Sequence, residues 1–397
     1  MSARGYAEAL LADVGLPELA PRLPRALDER SRDERLRESG LGELTGWPGR
    51  PPVPVTRALS DAADGALAAF EAVAVIPSEP RPGGAELLTE RARLLGLTRA
   101  GRVSAGGACR LLQASDGWLV VNLPRADDAR SLAAFLEDDR WAQTENVGAE
   151  EWERLAERLR ERPGAVWEER ARWLGLAVAI AGQPHLSSPS WLRVAAHGAR
   201  RDPPHAAPQV VDLSSLWAGP LAGRLLARAG ARVHKVESAA RPDGARFGPP
   251  AFFDRLNACK EQFSYDFRAP AGRAALREQL ARADIVIESS RARALAQLGI
   301  DAAAWVAEQP GRVWISITGY GRDSEGVAFG DDAAAAAGIC WCVREDAPLF
   351  VGDAIADPFT GVHAALAALA HWRRGDGALL DVALARVTAQ VIARSPL

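Results

Sequence analysis

Midway along the chain, Val211-Asp212-Leu213-Ser214-Ser215-Leu216-Trp217-Ala218-Gly219-Pro220 leads into an apolar-periodic segment and then Val233-His234-Lys235-Val236-Glu237. The pattern predicts a buried strand, a tight glycine turn, a helix of about three turns and a second strand, the opening of a nucleotide-binding α/β unit. The alternation continues past it, with strands expected at 210–213, 231–236, 285–288 and 313–318 and helices at 271–282 and 292–309. A parallel sheet flanked by helices follows from that order. Such openings usually begin a chain, and here some two hundred residues precede it.

Those residues divide by pattern. Residues 1–38 form a helical N-terminal arm, with Tyr6, Leu10, Leu11 and Val14 on one face and a charged run over 28–38 read as a solvated helix face. Within 85–190, Ser115-Asp116-Gly117 sits between two apolar runs as a hairpin turn, and helical patterns follow, which predicts a small α/β domain. Prolines and serines over 179–208 mark a linker, assigned to 191–207 between that domain and a large domain at 208–397. Residues 39–84 repeat a later pattern: Asp61-Ala62-Ala63-Asp64-Gly65 opens an alanine-rich helix, as Asp357-Pro358-Phe359-Thr360-Gly361 does further on. The expected fold is therefore α/β, with a Rossmann-like parallel-sheet large domain and a smaller α/β domain in the order small-then-large. The segment 39–84 reads as a partial copy of the aspartate-helix segment.

A net charge of −3 gives no electrostatic case for binding nucleic acid or an anionic membrane. No apolar run approaches the roughly 20 residues that span a bilayer, and no hydrophobic leader opens the chain, so a cytoplasmic location is expected. Four cysteines over 397 residues make no disulfide framework. Cys340-x-Cys342 lacks a second ligand pair nearby, so small buried thiols and no metal site are expected. Basic residues are almost all arginine; the two lysines, Lys235 and Lys260, both fall in the mid-chain stretch or its continuation.

Dinucleotide binding is the first chemistry that stretch suggests, with Glu237 near where an acid would meet a ribose. Yet Ala218-Gly219-Pro220-Leu221-Ala222-Gly223 is not G-x-G-x-x-G, and Pro220 has no N–H to offer a phosphate. Taken whole, a longer series of motifs runs in order: Asp-Leu-Ser-x-x-x-Ala-Gly-Pro, His-Lys-Val-Glu, Arg246-Phe247-Gly248-Pro249-Pro250, Leu256-Asn257-Ala258-Cys259-Lys260, Asp266-Phe267-Arg268, Ala283-Asp284-Ile285-Val286-Ile287-Glu288 and Ser316-Ile317-Thr318-Gly319-Tyr320-Gly321. This series resembles the family III CoA-transferases, a group that includes α-methylacyl-CoA racemases, over residues 210 to about 391.

The resemblance implies an enzyme that moves CoA between carboxylic acids, with acyl-CoA as substrate and no metal. It implies a homodimer, with intertwining of the chains as one form of it. The family nucleophile, an aspartate in an Ala-Asp-x-x-x-Gly setting, matches Asp357; the plain alternative is that Asp357 only caps a helix. Asp61 matches the same position in the partial copy, where it is read as a relic or a cap. A racemase histidine that pairs with the aspartate is replaced by Asp331 in Gly330-Asp331-Asp332, leaving an Asp331/Asp357 acid–base pair as the basis of a racemase or epimerase reading. For CoA the resemblance implies Trp217, Ala218, Leu256, Asn257, Ser289, Arg291 and Arg293. Ser238 and Gln297 stand where the family often has arginines, which motivates a third reading, a non-catalytic partner subunit.

Overall fold

The computed structural model describes residues 1–397 except 26, 28–30, 54–57, 76–82, 184–189, 205, 342–346 and 395–397. Among the described residues the strands form two sheets. The smaller, in order β1-β2-β3, is antiparallel and consists of β1 (Cys109–Gln113), β2 (Trp118–Asn122) and β3 (Ala177–Ile180). The larger runs β4-β10-β9-β8-β5-β6-β7. Its members are β4 (Leu192–His197), β5 (Gln209–Asp212), β6 (Arg232–Ser238), β7 (Glu261–Tyr265), β8 (Ile285–Glu288), β9 (Val313–Thr318) and β10 (Ala378–Ala383). All its pairings are parallel except β4 with β10.

Burial explains why the central strands carry almost unbroken apolar runs. All residues of β8 and β10 are buried, as they are in a sheet covered on both faces. β4 corrects the assignment of 191–207 as a linker, because Leu192–His197 pairs with β10 as an edge strand. Its side chains are mostly exposed or half-buried, so hydrophobic alternation gave no sign of it. β7 is likewise an exposed edge that pattern alone does not mark. The helix expected over 292–309 is two helices, broken where Gly299 takes φ +70°.

The helices preceding the small sheet are α1 (Ala3–Asp13), α2 (Arg32–Ser39), α3 (Ala58–Ala74), α4 (Gly84–Leu87) and α5 (Glu90–Leu95). With the small sheet come α6 (Ala126–Arg130), α7 (Leu132–Leu136), α8 (Ala149–Leu159) and α9 (Gly164–Leu174). The large sheet carries α10 (Ala218–Arg228), α11 (Pro250–Asn257), α12 (Pro270–Arg282), α13 (Ala292–Gln297), α14 (Ala302–Glu308), α15 (Gly330–Ala336), α16 (Ala356–Arg373) and α17 (Leu384–Arg394). No helix among the described residues is long and apolar enough to cross a membrane.

The N-terminal helices share one core with the large sheet rather than standing apart as an arm: Tyr6, Leu10, Phe70 and Val73 cluster with Leu221, Leu225 and Phe359. Tyr6 reaches His363 of α16 at 3.1 Å. The His363 Nδ1–H is spent on the carbonyl of Phe359 at 2.7 Å, so Nε2 accepts from the Tyr6 hydroxyl, and burial pushes this imidazole down to about 4, leaving it neutral. Two helix crossings are alike. A Cβ on Gly361 of α16 would lie 2.7 Å from the carbonyl of Ala218, the first residue of α10. A Cβ on Gly65 of α3 would lie 2.4 Å from the carbonyl of Ala3, the first residue of α1. The charged run before α3 is not wholly solvated either. Arg35 is buried, its Nη1 donating to Asp61 at 3.0 Å and its Nε lying 3.4 Å from Asp64. Residues 28–30 of that run lie outside the described residues.

The two lysines anchor the mid-chain turn. Lys260 Nζ donates to Asp212 Oδ2, the carbonyl of Pro220 and Asn257 Oδ1, each at 2.8 Å. Lys235 Nζ donates to Asp243 Oδ2 at 2.9 Å and to the carbonyl of Ser214. A compact ammonium with three donors fits this site, where a planar guanidinium would not. Burial raises the Asp212 carboxyl, but the charges of Lys260 and Lys235 outweigh it and hold it at about 2. A Cβ on Gly223 would lie 2.9 Å from Asp212 Oδ2 and 3.0 Å from Lys260 Nζ. The glycine at 223 thus serves this ion pair and the seating of α10.

Candidate active site

Asp357 stands in the first turn of α16. The backbone N–H of Ala218 lies close enough to its carboxyl to favour the ionised form, so the N-terminal end of α10, with its unpaired amides and partial positive charge, faces the acid. Asp331, in the first turn of α15, accepts the backbone N–H of Ala354 at 2.8 Å, and the Ser104 hydroxyl stands near enough to favour its ionised form. Ala354 takes φ +44°, a left-handed backbone that a non-glycine residue adopts at a cost of order 1–3 kcal/mol. The Asp331 bond holds it there, and the Ala354 carbonyl in turn accepts the N–H of Asp357 at 2.9 Å. Asp353 completes a trio of acids and is fully buried.

One cation answers the trio. Arg91, on α5, grips Asp353 with two donors, Nε to Oδ2 at 2.8 Å and Nη2 to Oδ1. Its guanidinium lies 5.6 Å from the centre of the Trp217 ring. Asp357 and Asp331 keep some solvent contact, yet protein surrounds both. Burial pushes Asp357 up to about 7; Arg91 pulls it down, and Asp331 and Asp353 push it further up. Asp331 is raised for the same first reason, burial, with Asp353 adding to it and Arg91 opposing. The arrangement holds a carboxylate poised to gain or lose a proton near neutrality, with a backbone amide already aimed at it. A carboxylate so held can attack an acyl carbon or move a proton.

Gly330 is where the packing is tightest. A Cβ there would sit 2.4 Å from both Asp357 Oδ2 and the Ala354 carbonyl. Gly330→Ala is expected to push the Asp357 carboxylate off its amide, destabilising the chain by about 1–3 kcal/mol. Thermal unfolding and the rate of any reaction at Asp357 should both fall, the latter by about tenfold or more.

Beneath this site Asp332 is fully buried, its Oδ1 accepting from Asn122 Nδ2 of the small sheet at 2.6 Å and from the Phe329 N–H at 3.0 Å. Burial pushes it up to about 8. An acid raised above its unfolded value adds stability that is full below about 3.9 and is lost as pH climbs through the folded value. Asp332→Asn keeps the acceptor and removes the proton. The variant is expected to overtake the natural chain between pH 4 and 8, by about 1–3 kcal/mol at pH 8, in urea unfolding at the two pH values.

The other expected site residues separate into two groups. Trp217 precedes α10 and is buried between Phe252, with ring centres 5.4 Å apart, and the Arg91 guanidinium, while Ala218 lies beside Asp357. Ser289 accepts from the Ser215 N–H at 3.0 Å, joining the ends of β8 and β5. Arg291 lies exposed just beyond β8, and burial of part of its length together with Arg293, Arg125 and Arg241 lowers its affinity for a proton, which marks a concentration of positive charge. Arg293 lies 3.7 Å from Glu325. Leu256 and Asn257, by contrast, are fully buried: the Asn257 amide is spent on Phe253 and Lys260, so both side chains serve the core and present nothing to a ligand. Asp61 does not join Asp357 but is paired to Arg35. Cys340 is buried with its thiol on the Ala335 carbonyl, and Cys342 lies outside the described residues.

Residues 208–397 match the sequence model of CoA-transferase family III. Over that segment, a little under half of the chain, the sequence is similar to the family. Among curated relatives, a succinate–glutarate CoA-transferase of Agrobacterium fabrum is 33% identical over 215 residues, covering 49% of this chain and 54% of the relative. A succinyl-CoA–D-citramalate CoA-transferase of Chloroflexus aurantiacus is 29% identical over 194 residues, 44% of this chain and 48% of that one. A CAIB/BAIF family protein from Brucella suis matches in structure with a TM-score of 0.45 and 31% identity, over 49% of this chain and 56% of that one. The chain thus spans about half the length of the curated relatives it matches. Both Asp357 and Asp331 lie in the family III half, whereas Arg91 does not.

Proposed function

We propose that the protein transfers CoA from an acyl-CoA thioester to a free carboxylic acid, with Asp357 as the nucleophile. The observation that carries this reading is the Asp357 carboxylate set against the Ala218 amide in the family III half. In the first step the carboxylate attacks the thioester carbon, the C–S bond breaks, and a mixed anhydride and CoA thiolate form. The thiolate then attacks the aspartyl carbon, releasing the donor acid and leaving an aspartyl-CoA thioester. The acceptor carboxylate displaces the thiolate to give a new anhydride. Attack of the thiolate on the acceptor's acyl carbon then restores Asp357 and yields the new thioester. The Ala218 amide is placed to steady negative charge on an oxygen of the aspartyl group as each tetrahedral centre forms.

Arg291 and Arg293, with Arg125 and Arg241 beside them, are the groups we assign to the CoA phosphates, and Trp217 to the wall between them and Asp357. The names of the relatives make thioesters of small dicarboxylic acids the first donors to try. The test is exchange of CoA between succinyl-CoA and a panel of acids, read by chromatography of the thioesters. No exchange with any acid would overturn the reading.

Because the attacking group must be ionised and its carboxyl lies at about 7, kcat/KM is expected to rise with pH through that value. It should fall about tenfold for each unit below pH 6. A profile flat from pH 5 to 9 would exclude Asp357 as the titrating nucleophile.

The presence of a second acid, Asp331, raised in the same direction and in the same cluster favours one other reading, an acyl-CoA racemase or epimerase. Deuterium entering the α-carbon of the thioester with no acceptor acid present would select it. The division into small and large domains, the duplicated aspartate-helix segment and a homodimer in the cytoplasm belong to the same proposal. The like crossings at Gly65 and Gly361 support the duplication.

A further inference from the structure

The residue that ties the acid trio together comes from outside the family III half. α5 is fastened at its first residue, where Glu90 takes Arg224 of α10 at 2.9 Å and Arg255 of α11 at 2.6 Å. The next residue, Arg91, is thereby directed at Asp353, and its guanidinium comes to rest over Trp217, the residue that leads into α10. The groups facing Asp357 are Asp331 of α15, Asp353 of the preceding loop, the Ala218 amide of α10 and Arg91 of α5. Ser104 touches Asp331 from the segment before the small sheet, Asp332 lies beneath, and the charges of Glu90, Arg224 and Arg255 are spent on one another.

We infer that Arg91 is a positioning residue of the Asp357 site: clamped by Asp353 and steered by the Glu90 anchor, it neutralises the acid trio and so keeps Asp357 available as a carboxylate. The N-terminal helices are then a working part of the site, not a spectator fused to it. This rests on the reading of Asp357 as nucleophile only for its consequence in catalysis; the effect on the Asp357 proton stands without it. Its direction follows from the geometry. One guanidinium faces three carboxyls: taking away the cation removes the strongest opposing charge on Asp357, whereas taking away Asp353 removes a like charge and leaves the cation.

The test is direct titration of Asp357 by carboxyl carbon NMR in the free full-length protein, with Asp357→Asn identifying the signal. Arg91→Gln is expected to move the Asp357 midpoint upward, to at least about tenfold less carboxylate at a given pH. Arg91→Lys, which keeps the charge, should recover most of that shift. Asp353→Asn is expected to move the midpoint the opposite way. A purely structural Arg91 would leave the midpoint unmoved in the folded Arg91 variants, and that result overturns the inference. Should Arg91→Gln fail to fold alone, Arg91→Gln combined with Asp353→Asn, which leaves neither partner of that ion pair charged, decides against Asp353→Asn alone: an upward shift upholds the inference, and no shift or a downward one overturns it. Because the midpoint is read without substrate, a protein that proves unable to transfer CoA leaves this result intact.

Discussion

Lys260→Met is expected to lower folding stability by about 3–5 kcal/mol, the usual result of leaving a buried charge without its partner. The side chain is fully buried and its three donors meet three acceptors. Methionine supplies similar length but no donor, so Asp212 keeps a carboxylate in the core with Lys235 as the remaining cation nearby. The sign with pH follows from the Asp212 carboxyl, which is held below its unfolded value. Its contribution is present above about 3.9 and is lost as pH falls towards 2. The deficit of the variant should therefore shrink as pH drops below 4. Lys260→Met combined with Asp212→Asn should recover part of the loss at pH 7, because the uncompensated charge is gone. Urea unfolding of the three chains at pH 7 checks this; a loss under about 1 kcal/mol would show that the ion pair does not hold the turn.

The second large effect is catalytic. Asp357→Asn is expected to lower CoA transfer at least about 1000-fold, since it removes the atom that forms the covalent bond. Stability should hold or rise slightly, because the change takes one carboxyl out of a crowded trio while leaving an oxygen for the Ala218 amide. Asp61→Asn gives the opposite pair of results. It breaks a buried ion pair with Arg35 and costs stability, and the transfer rate stays within about twofold. Loss of activity in the Asp61 variant with Asp357→Asn still active would exchange the roles of the two helices.

Much of the large sheet was legible because buried parallel strands must carry continuous apolar runs, as β5, β8 and β9 do. The edges were not. β4 and β7 pair through backbone groups that any side chain permits, and their exposed residues follow no rule that a sequence displays. The family motifs led to Asp357 and Asp331 together, and the structure sets them in one cluster with Asp353. They also led to Leu256 and Asn257, which sit in the core; a motif marks residues that recur together without telling which of them face a ligand. Arg91 was missed, since an arginine in Glu90-Arg91-Ala92-Arg93 looks like any solvated helix charge. Its partner Asp353 is 262 residues away, and only folding pairs them. Arg35 was missed for the same reason within a run of charges that otherwise faces water.

The central claim is that Asp357 forms the covalent bond to the acyl group. Incubating the protein with succinyl-CoA, quenching, and mapping the adduct by peptide mass spectrometry tests it most directly. The mass should rise on the peptide that contains Asp357, and the adduct should vanish in Asp357→Asn while persisting in Asp61→Asn. CoA transfer that proceeds with no modification at Asp357, or an adduct on the peptide of Asp61, would contradict it.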